Sequence, residues 1–354
     1  MEMILYLYHQ VKIEKEVTAL QENTNTEAVY LVLDEGAELL KREWDLIYLD
    51  ALSHVGDMVH QGQISRDIDE KTSHKLEEIF KKLPEKQDTA PEEYRRALQL
   101  AVLKGMREAT QPHHALTPDA VSLFIGYLVN KLQSYDKKSD TQVLADPAVG
   151  AGNLMTAVLN QLDRKAAFIG ADPDETLLKL AYINANLQSH SVDLFHQDSV
   201  SAPFVKNLDM IVSDLPAGYY PKEDQVSNFA TKADTGRSYV HHLLIEKAVT
   251  HVKPGGFLIF LVPNYIFQTD QSEQLHTFIK EEALIYSLMQ LPSSMFKNKQ
   301  AAKSILVLRK KKEGIIEPKQ ALLAELPSFT KESALADMMQ KISGWFDDHL
   351  KQEK

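Results

Sequence analysis

The sequence predicts an α/β fold, a doubly wound and largely parallel sheet with helices on both faces, preceded by a helical domain. Three observations carry this reading. From residue 142 onward, short apolar runs alternate with helical patterns. The run VLADPAVGAGNLMTAVL, Val143 to Leu159, passes from an apolar strand through an acidic residue and a glycine-bearing turn into a helix. Before residue 111 the clear periodicities are helical.

Taken in order, Thr24 and Glu27 form a capping box for a helix through Val29, Leu33, Ala37 and Leu40. Helices over Asp67 to Leu83 and Pro91 to Met106 follow, the second starting on proline and lining up Leu98, Val102 and Met106. The chain divides into an N-terminal helical domain (1–110), a catalytic-type α/β domain (111–312) and a C-terminal helical extension (313–354). Strands are expected near 142–146, 166–171, 191–196, 208–213, 256–262, 284–291 and 303–309, the last pair closing as a hairpin with one antiparallel strand. Thr330 to Leu350 reads as an amphipathic helix with Leu335, Met339, Ile342, Phe346 and Leu350 in line.

The strand ends carry the polar residues. Gly150 and Gly152 permit a sharp turn and close backbone approach, and a helix opening near Asn153 aims free amides at the same place. A GxG turn after a strand is shared by NAD, FAD and S-adenosylmethionine (SAM) proteins, and by βα turns that bind nothing. About twenty residues on, the second strand ends in Asp172, the spacing at which such folds bind ribose hydroxyls. Asp174 is better placed to cap the helix that follows. The third strand ends near Asp198, suited to accept from an exocyclic adenine amine or to sit solvated in a loop. The fourth runs into Asp214, Leu215, Pro216, Ala217 and Gly218, a polar turn at the carboxyl edge of the sheet, where open α/β sheets bind ligands.

In this order the segments resemble the amino-methyltransferases that act on adenine N6 in DNA, particularly the modification subunits of type I restriction systems and their stand-alone relatives. QPHHALTPDAVSLFIGYLV (Gln111 to Val129) looks like that family's opening motif with its Thr-Pro, DPAVGAGNL is similar to its DPACGSGGFL loop, and VSDLPAG lies where the family has NPPF or DPPY. Gly236 to Phe260 resembles the helix and fifth strand that follow, and Leu291 to Arg309 resembles the LPxxxF segment with its hairpin. The resemblance spans roughly Gln111 to Lys312. It implies a class I, Rossmann-like, seven-stranded methyltransferase sheet with SAM as cofactor. Thr117 and Pro118 would line the methionine part, with Asp146, Pro147, Ala148, Gly150, Gly152 and Asn153 around it. Asp172 and Pro173 would take the ribose, and Asp198 with Ser199 the adenine.

An exocyclic amine is a poor nucleophile because its lone pair is delocalised into the ring. Acceptors that draw on both N–H bonds favour a pyramidal nitrogen; the Asp214 side chain would supply one and the backbone carbonyl of Leu215, beside Pro216, the other. Leu215 stands where the family has proline, so a looser turn is expected. Ala217 stands where the family has the Phe or Tyr that stacks on an extruded base, an interaction worth on the order of 1–3 kcal/mol. Tyr219 or Tyr220, a few residues later on a mobile loop, would swing in to replace it, unless they are an ordinary pair of surface tyrosines.

Lys and Arg number 39 against 50 Asp and Glu, a formal net charge of −11. The average surface repels DNA phosphates, and Lys297, Lys299, Lys303, Arg309, Lys310, Lys311 and Lys312 form the densest cationic region. The stretch after Lys312 is too short for a target-recognition domain. DNA or another nucleic acid is therefore one partner class, and a protein partner or homodimer through the N-terminal helices another. With no cysteine, disulfides, thiolate metal sites and cytosine C5 methylation are excluded. His113 and His114 lack a third ligand at helical spacing, so no metal is assigned. The apolar run Ile4 to Tyr8 is too short for a signal peptide, no run reaches membrane length, and a cytoplasmic location is expected. The leading function is SAM-dependent N-methylation of adenine in nucleic acid; the alternatives are methylation of a protein amide nitrogen, or a non-methylating SAM-binding or scaffold protein of the same fold.

Overall fold

The computed structural model describes residues 25–108, 116–135, 141–296 and 298–350. Thr24 of the expected capping box, the run Ile4 to Tyr8, His113, His114 and Lys297 lie outside them.

Four helices form the N-terminal domain: α1 (Asn25–Glu43), α2 (Tyr48–Gln61), α3 (Glu70–Phe80) and α4 (Pro91–Glu108). In α1 the predicted stripe Val29, Leu33, Ala37 and Leu40 is fully buried. α3 is capped by Asp69, whose Oδ1 accepts from the amides of Lys71 and Thr72 at 3.1 Å. The sequence reading passed over α2. Its N-cap position is the apolar Ile47, with no side-chain cap, so the usual start signal is missing.

The sheet is built from β1 (Thr141–Asp146), β2 (Lys165–Asp172), β3 (Val192–His196), β4 (Leu208–Asp214), β5 (Val252–Pro263), β6 (Ala283–Gln290), β7 (Lys303–Lys310) and β8 (Leu322–Glu325). Its order is β3-β2-β1-β4-β5-β7-β6-β8. β7 runs antiparallel to β5 and β6, and the other neighbours pair in parallel. The expected strands thus form, but the sheet has eight strands rather than seven. β8 falls within the stretch read as a helical extension, and its four residues, Leu-Leu-Ala-Glu, are too few to show an apolar–polar alternation in the sequence.

Successive side chains alternate between two cores, as a pleated sheet buried on both faces requires. Leu144, Phe168, Met210, Val212, Ile259 and Val307 face one way, against α5 (Asp119–Gln133), α6 (Asn153–Leu159) and α10 (Glu332–Leu350). Ala145, Ile169, Ile211, Leu258 and Phe260 face the other, against α8 (Val240–His251) and α9 (Ser272–Glu282). α7 (Glu175–Leu187) lies between sheet and helical domain. It gives Ala181 and Ala185 to the first core, and Leu177, Leu180, Ile183 and Leu187 to the core of α1 to α4. The strand order reverses beside β1, between β1 and β4, and the carboxyl ends of the strands at such a switch point are where open α/β sheets bind ligands.

All five predicted stripe residues of α10 are buried in the first core, so this helix is part of the domain's packing. Phe346→Ala, at a fully buried position, is expected to cost about 3–5 kcal/mol. Equilibrium urea unfolding of the full chain, followed by far-UV circular dichroism, measures this as a lower midpoint.

Candidate active site

β1, β2 and β4 end in Asp146, Asp172 and Asp214, and Asp198 follows the end of β3, so four carboxylates stand along one sheet edge. Each is held by donors from neighbouring segments. Asp146 Oδ1 accepts from the Ser213 hydroxyl at 2.5 Å and the Ala148 amide at 2.9 Å. Asp172 accepts from the amides of Gly150 and Asp174, both at 2.9 Å, which ties the end of β2 to the glycine turn after β1. Asp174 itself caps α7, accepting from the Leu177 amide at 2.9 Å, as its position in the sequence suggests.

Between β1 and α6, Pro147 is buried, Ala148 half-buried, and the chain turns through Gly150 (φ 53°) and Gly152 (φ 76°). A Cβ on Gly152 would lie 3.1 Å from the backbone of Ala181 in α7, whereas one on Gly150 would meet open space. The first glycine therefore opens the crevice and the second lets two helices approach. Asn153, the first residue of α6, is buried and donates through Nδ2 to the Thr117 carbonyl at 2.8 Å. Thr117 in turn donates through Oγ1 to Asp214 Oδ2 at 2.9 Å, while Pro118 is the N-cap of α5. The Lys303 ammonium of β7 is ion-paired with Asp214 Oδ1.

Asp198 accepts from the Val200 amide at 3.0 Å, from the Tyr220 hydroxyl at 2.6 Å and from Lys222 Nζ at 3.3 Å. The hydroxyl of its buried neighbour Ser199 has no hydrogen-bond partner among the described residues. Pro173 is exposed, and its carbonyl meets His196 Nε2 at 3.0 Å.

Two expectations are corrected here. Leu215 does not loosen the turn: its N–H donates to the Leu261 carbonyl at 3.1 Å, a bond proline could not make, and its side chain is fully buried in the second core. Nor is the following loop free to swing. Glu223 holds the amide and hydroxyl of Ser238 at 2.6 and 2.9 Å, Glu246 binds Thr231, and Tyr220 N–H donates to the Ser238 carbonyl at 2.8 Å. The paired tyrosines have parted company: Tyr220 is buried on Asp198, while Tyr219 is 49% exposed and stacked on Tyr239, ring centroids 4.7 Å apart. Arg237 lies over the Tyr219 ring at 5.4 Å, and Tyr239 is backed by the rings of His241 and His242. Burial holds both histidines neutral, pushing them down to about 3 and about 4. Pro216 and Ala217 are exposed between Asp214 and this stack. Sequence reasoning missed Tyr239 and the pairing role of Lys303, because neither lies near the turn in the chain.

Four described side chains of the cationic region, Lys303, Arg309, Lys310 and Lys311, make internal contacts. Besides Lys303 on Asp214, Arg309 bonds the Gly255 carbonyl and the Tyr286 hydroxyl, Lys310 the carbonyls of Thr250 and Val252, and Lys311 that of Lys280. Among the described residues no helix is long and apolar enough to cross a membrane, and no three His, Asp or Glu side chains converge as metal ligands would.

Burial pushes the Asp146 carboxyl up to about 7, against the opposing pull of Ser213 and the Ala148 amide and with Asp172 and Asp214 adding repulsion. A carboxyl raised on folding binds its proton more tightly in the native state. Its contribution to stability is therefore full below the unfolded value near 3.8 and is lost as pH rises toward about 7. Relative to Asp146→Asn, the wild-type protein should lose thermal stability steadily from about pH 4 to about pH 7 and level off above. Melting curves of both proteins across that range check this; parallel curves would refute it.

Comparisons with known proteins bear on this geometry. Residues 27–106 match the YtxK N-terminal helical domain and residues 106–349 the N-6 DNA Methylase family. The uncharacterized protein YtxK of Bacillus subtilis is 44% identical over 326 residues, covering 90% of this chain and 97% of that protein. The crystal structure of a putative class I S-adenosylmethionine-dependent methyltransferase from Listeria monocytogenes superposes with a TM-score of 0.84 at 36% identity, over 92% of this chain and 100% of that one. A type I restriction-modification methyltransferase subunit from Streptococcus thermophilus shares the fold, with a TM-score of 0.60 at 15% identity over 87% of this chain and 73% of that one. With the glycine turn, the edge carboxylates and a match that runs from the last helix of the N-terminal domain into α10, the chain belongs to the N-6 DNA Methylase family and carries a YtxK-type helical domain in front of it.

Proposed function

We propose that this protein is a SAM-dependent N-methyltransferase acting on the exocyclic amine of adenine in a nucleic acid. The observation that carries the reading is the placement of Asp214, at the switch point of the sheet, between the glycine turn and the exposed Tyr219–Tyr239 stack.

S-adenosyl-L-methionine is its cofactor, and the residues present fit it. Gly150 leaves open space where a side chain would stand, Asp172 is fixed at the end of β2, and Ser199 offers a buried hydroxyl without a protein partner. Asp172 with Pro173 would hold the ribose, Asp198 and Ser199 the adenine, and Thr117, Pro118, Asp146, Pro147, Ala148, Gly152 and Asn153 the amino-acid end. When bound, the cofactor supplies an electrophilic methyl group. The acidic edge suits a cationic sulfonium.

The protein's own part is to prepare the nitrogen. Thr117 and Lys303 each bind one oxygen of Asp214, which aims the carboxylate, and each oxygen keeps a further lone pair for a substrate N–H. The Leu215 carbonyl supplies the second acceptor, fixed by the bond that its own amide makes to β5. Tyr219 takes the stacking role that Ala217 lacks. Its ring is exposed and stiffened by Tyr239, and a flat base would stack on it by displacing the Arg237 guanidinium that lies over it.

One observation favours a second reading, methylation of an amide nitrogen in a protein. The net charge is −11, so the average surface repels phosphates and suits a protein target better.

Calorimetric titration of SAM and its demethylated product into the protein, with Asp172→Ala beside it, tests the pocket; no binding to the wild type would sink the methyltransferase reading in the isolated chain. Transfer of labelled methyl groups to unmethylated single- and double-stranded DNA tests the substrate. Asp214→Ala should abolish transfer while SAM still binds, and Tyr219→Ala should raise KM for the oligonucleotide about tenfold with a smaller change in kcat. Transfer to peptides but not to nucleic acid would move the assignment to the second reading.

A further inference from the structure

Among the described residues Arg95 is the largest fully buried side chain, and it sits on α4 in the helical domain rather than in the methyltransferase domain. A guanidinium taken wholly out of water requires partners for its donors. Glu92, one turn earlier, takes two: Nε at 2.8 Å and Nη2 at 2.6 Å. The other contacts cross the domain boundary. Nη1 reaches Asp119 Oδ1, in the first turn of α5, at 2.9 Å and Asn153 Oδ1, at the start of α6, at 2.7 Å.

The last contact fixes more than a distance. Arginine has donors only, so the oxygen of the Asn153 amide must face it and the NH2 group must point away. That group donates to the Thr117 carbonyl at 2.8 Å, and Thr117 Oγ1 donates to Asp214 Oδ2 at 2.9 Å. The same Glu92–Arg95 pair also grips the far end of α6, where Asn160 Nδ2 reaches Glu92 Oε2 at 3.1 Å. The seven-residue helix behind the glycine turn is thus held at both ends by one turn of the helical domain.

We propose that Arg95 is a positioning residue of the cofactor pocket: through Asn153 and Thr117, the helical domain sets the geometry in which the pocket binds SAM. The helical domain is then a working wall of the site rather than an appended module. The proposal rests on the reading of this crevice as the SAM pocket.

SAM affinity by calorimetry, alongside thermal melts, tests it. Arg95→Lys keeps the charge and loses the planar fork, so it should fold, as judged by far-UV circular dichroism, and bind SAM about tenfold more weakly. Glu92→Gln, milder and on a half-buried residue, should weaken binding about threefold. Gly56→Ala is the control for mere loosening of the domain contact. It presses a methyl to 2.5 Å from Ile183 of α7 without touching the relay, and it should lower the melting temperature with SAM affinity unchanged. In a double-mutant cycle, Arg95→Lys should cost little further affinity once Asn153→Ala is present. The proposal is overturned if folded Arg95→Lys binds as the wild type does, or if its effect adds fully to that of Asn153→Ala. It also falls if Gly56→Ala loses as much affinity, and, should Arg95→Lys not fold, if Glu92→Gln binds as the wild type. Failure of the wild type itself to bind SAM would remove the pocket reading, an outcome distinct from all of these.

Discussion

Four carboxylates gathered on one edge of a buried sheet form the constraint to which the surrounding structure answers. Like charges in a poorly solvated crevice repel, and each must be met by donors or neutralised. Here, beside amides two residues on, each carboxylate takes a donor from a segment distant in the chain. Ser213 of β4 serves Asp146, the glycine turn serves Asp172, the Tyr220 loop serves Asp198, and Thr117 with Lys303 serves Asp214. Satisfying the carboxylates therefore also assembles the site, because each distant donor brings its own element to the sheet edge.

The same logic draws in the helical domain. α7 is apolar on two sides and is buried between sheet and helices, so the two domains share its hydrophobic surface. Polar contacts then register the interface. Arg95 meets Asp119 and Asn153, and the Thr176 hydroxyl meets Asp50 at 2.6 Å. Apolar burial provides the adhesion and these bonds the alignment, a division expected where packing is non-directional and hydrogen bonds are not.

Much of the fold could be read along the chain because its signals are local. Strand ends at Asp146, Asp172 and Asp214, the cap at Asp174 and the stripe on α10 each depend on residues a turn or a strand apart. The misses are places where no local signal marks the outcome. α2 begins on Ile47 without a capping side chain, and β8 is too short to show a period. Leu215 reads as a weakened turn until β5 is seen to accept its amide.

By itself the sequence determined the α/β class, the helical domain ahead of it, the order of the strand-end carboxylates and the glycine turn among them. All of these follow from periodicity, turn chemistry and the order of motifs. Only the tertiary structure decided which tyrosine faces outward, which cation of the basic segment pairs with Asp214, and that Arg95 reaches the glycine-turn helix from another domain. Those choices are pairings between residues distant in the chain, fixed by burial and the need to satisfy every buried charge, and no local pattern encodes them.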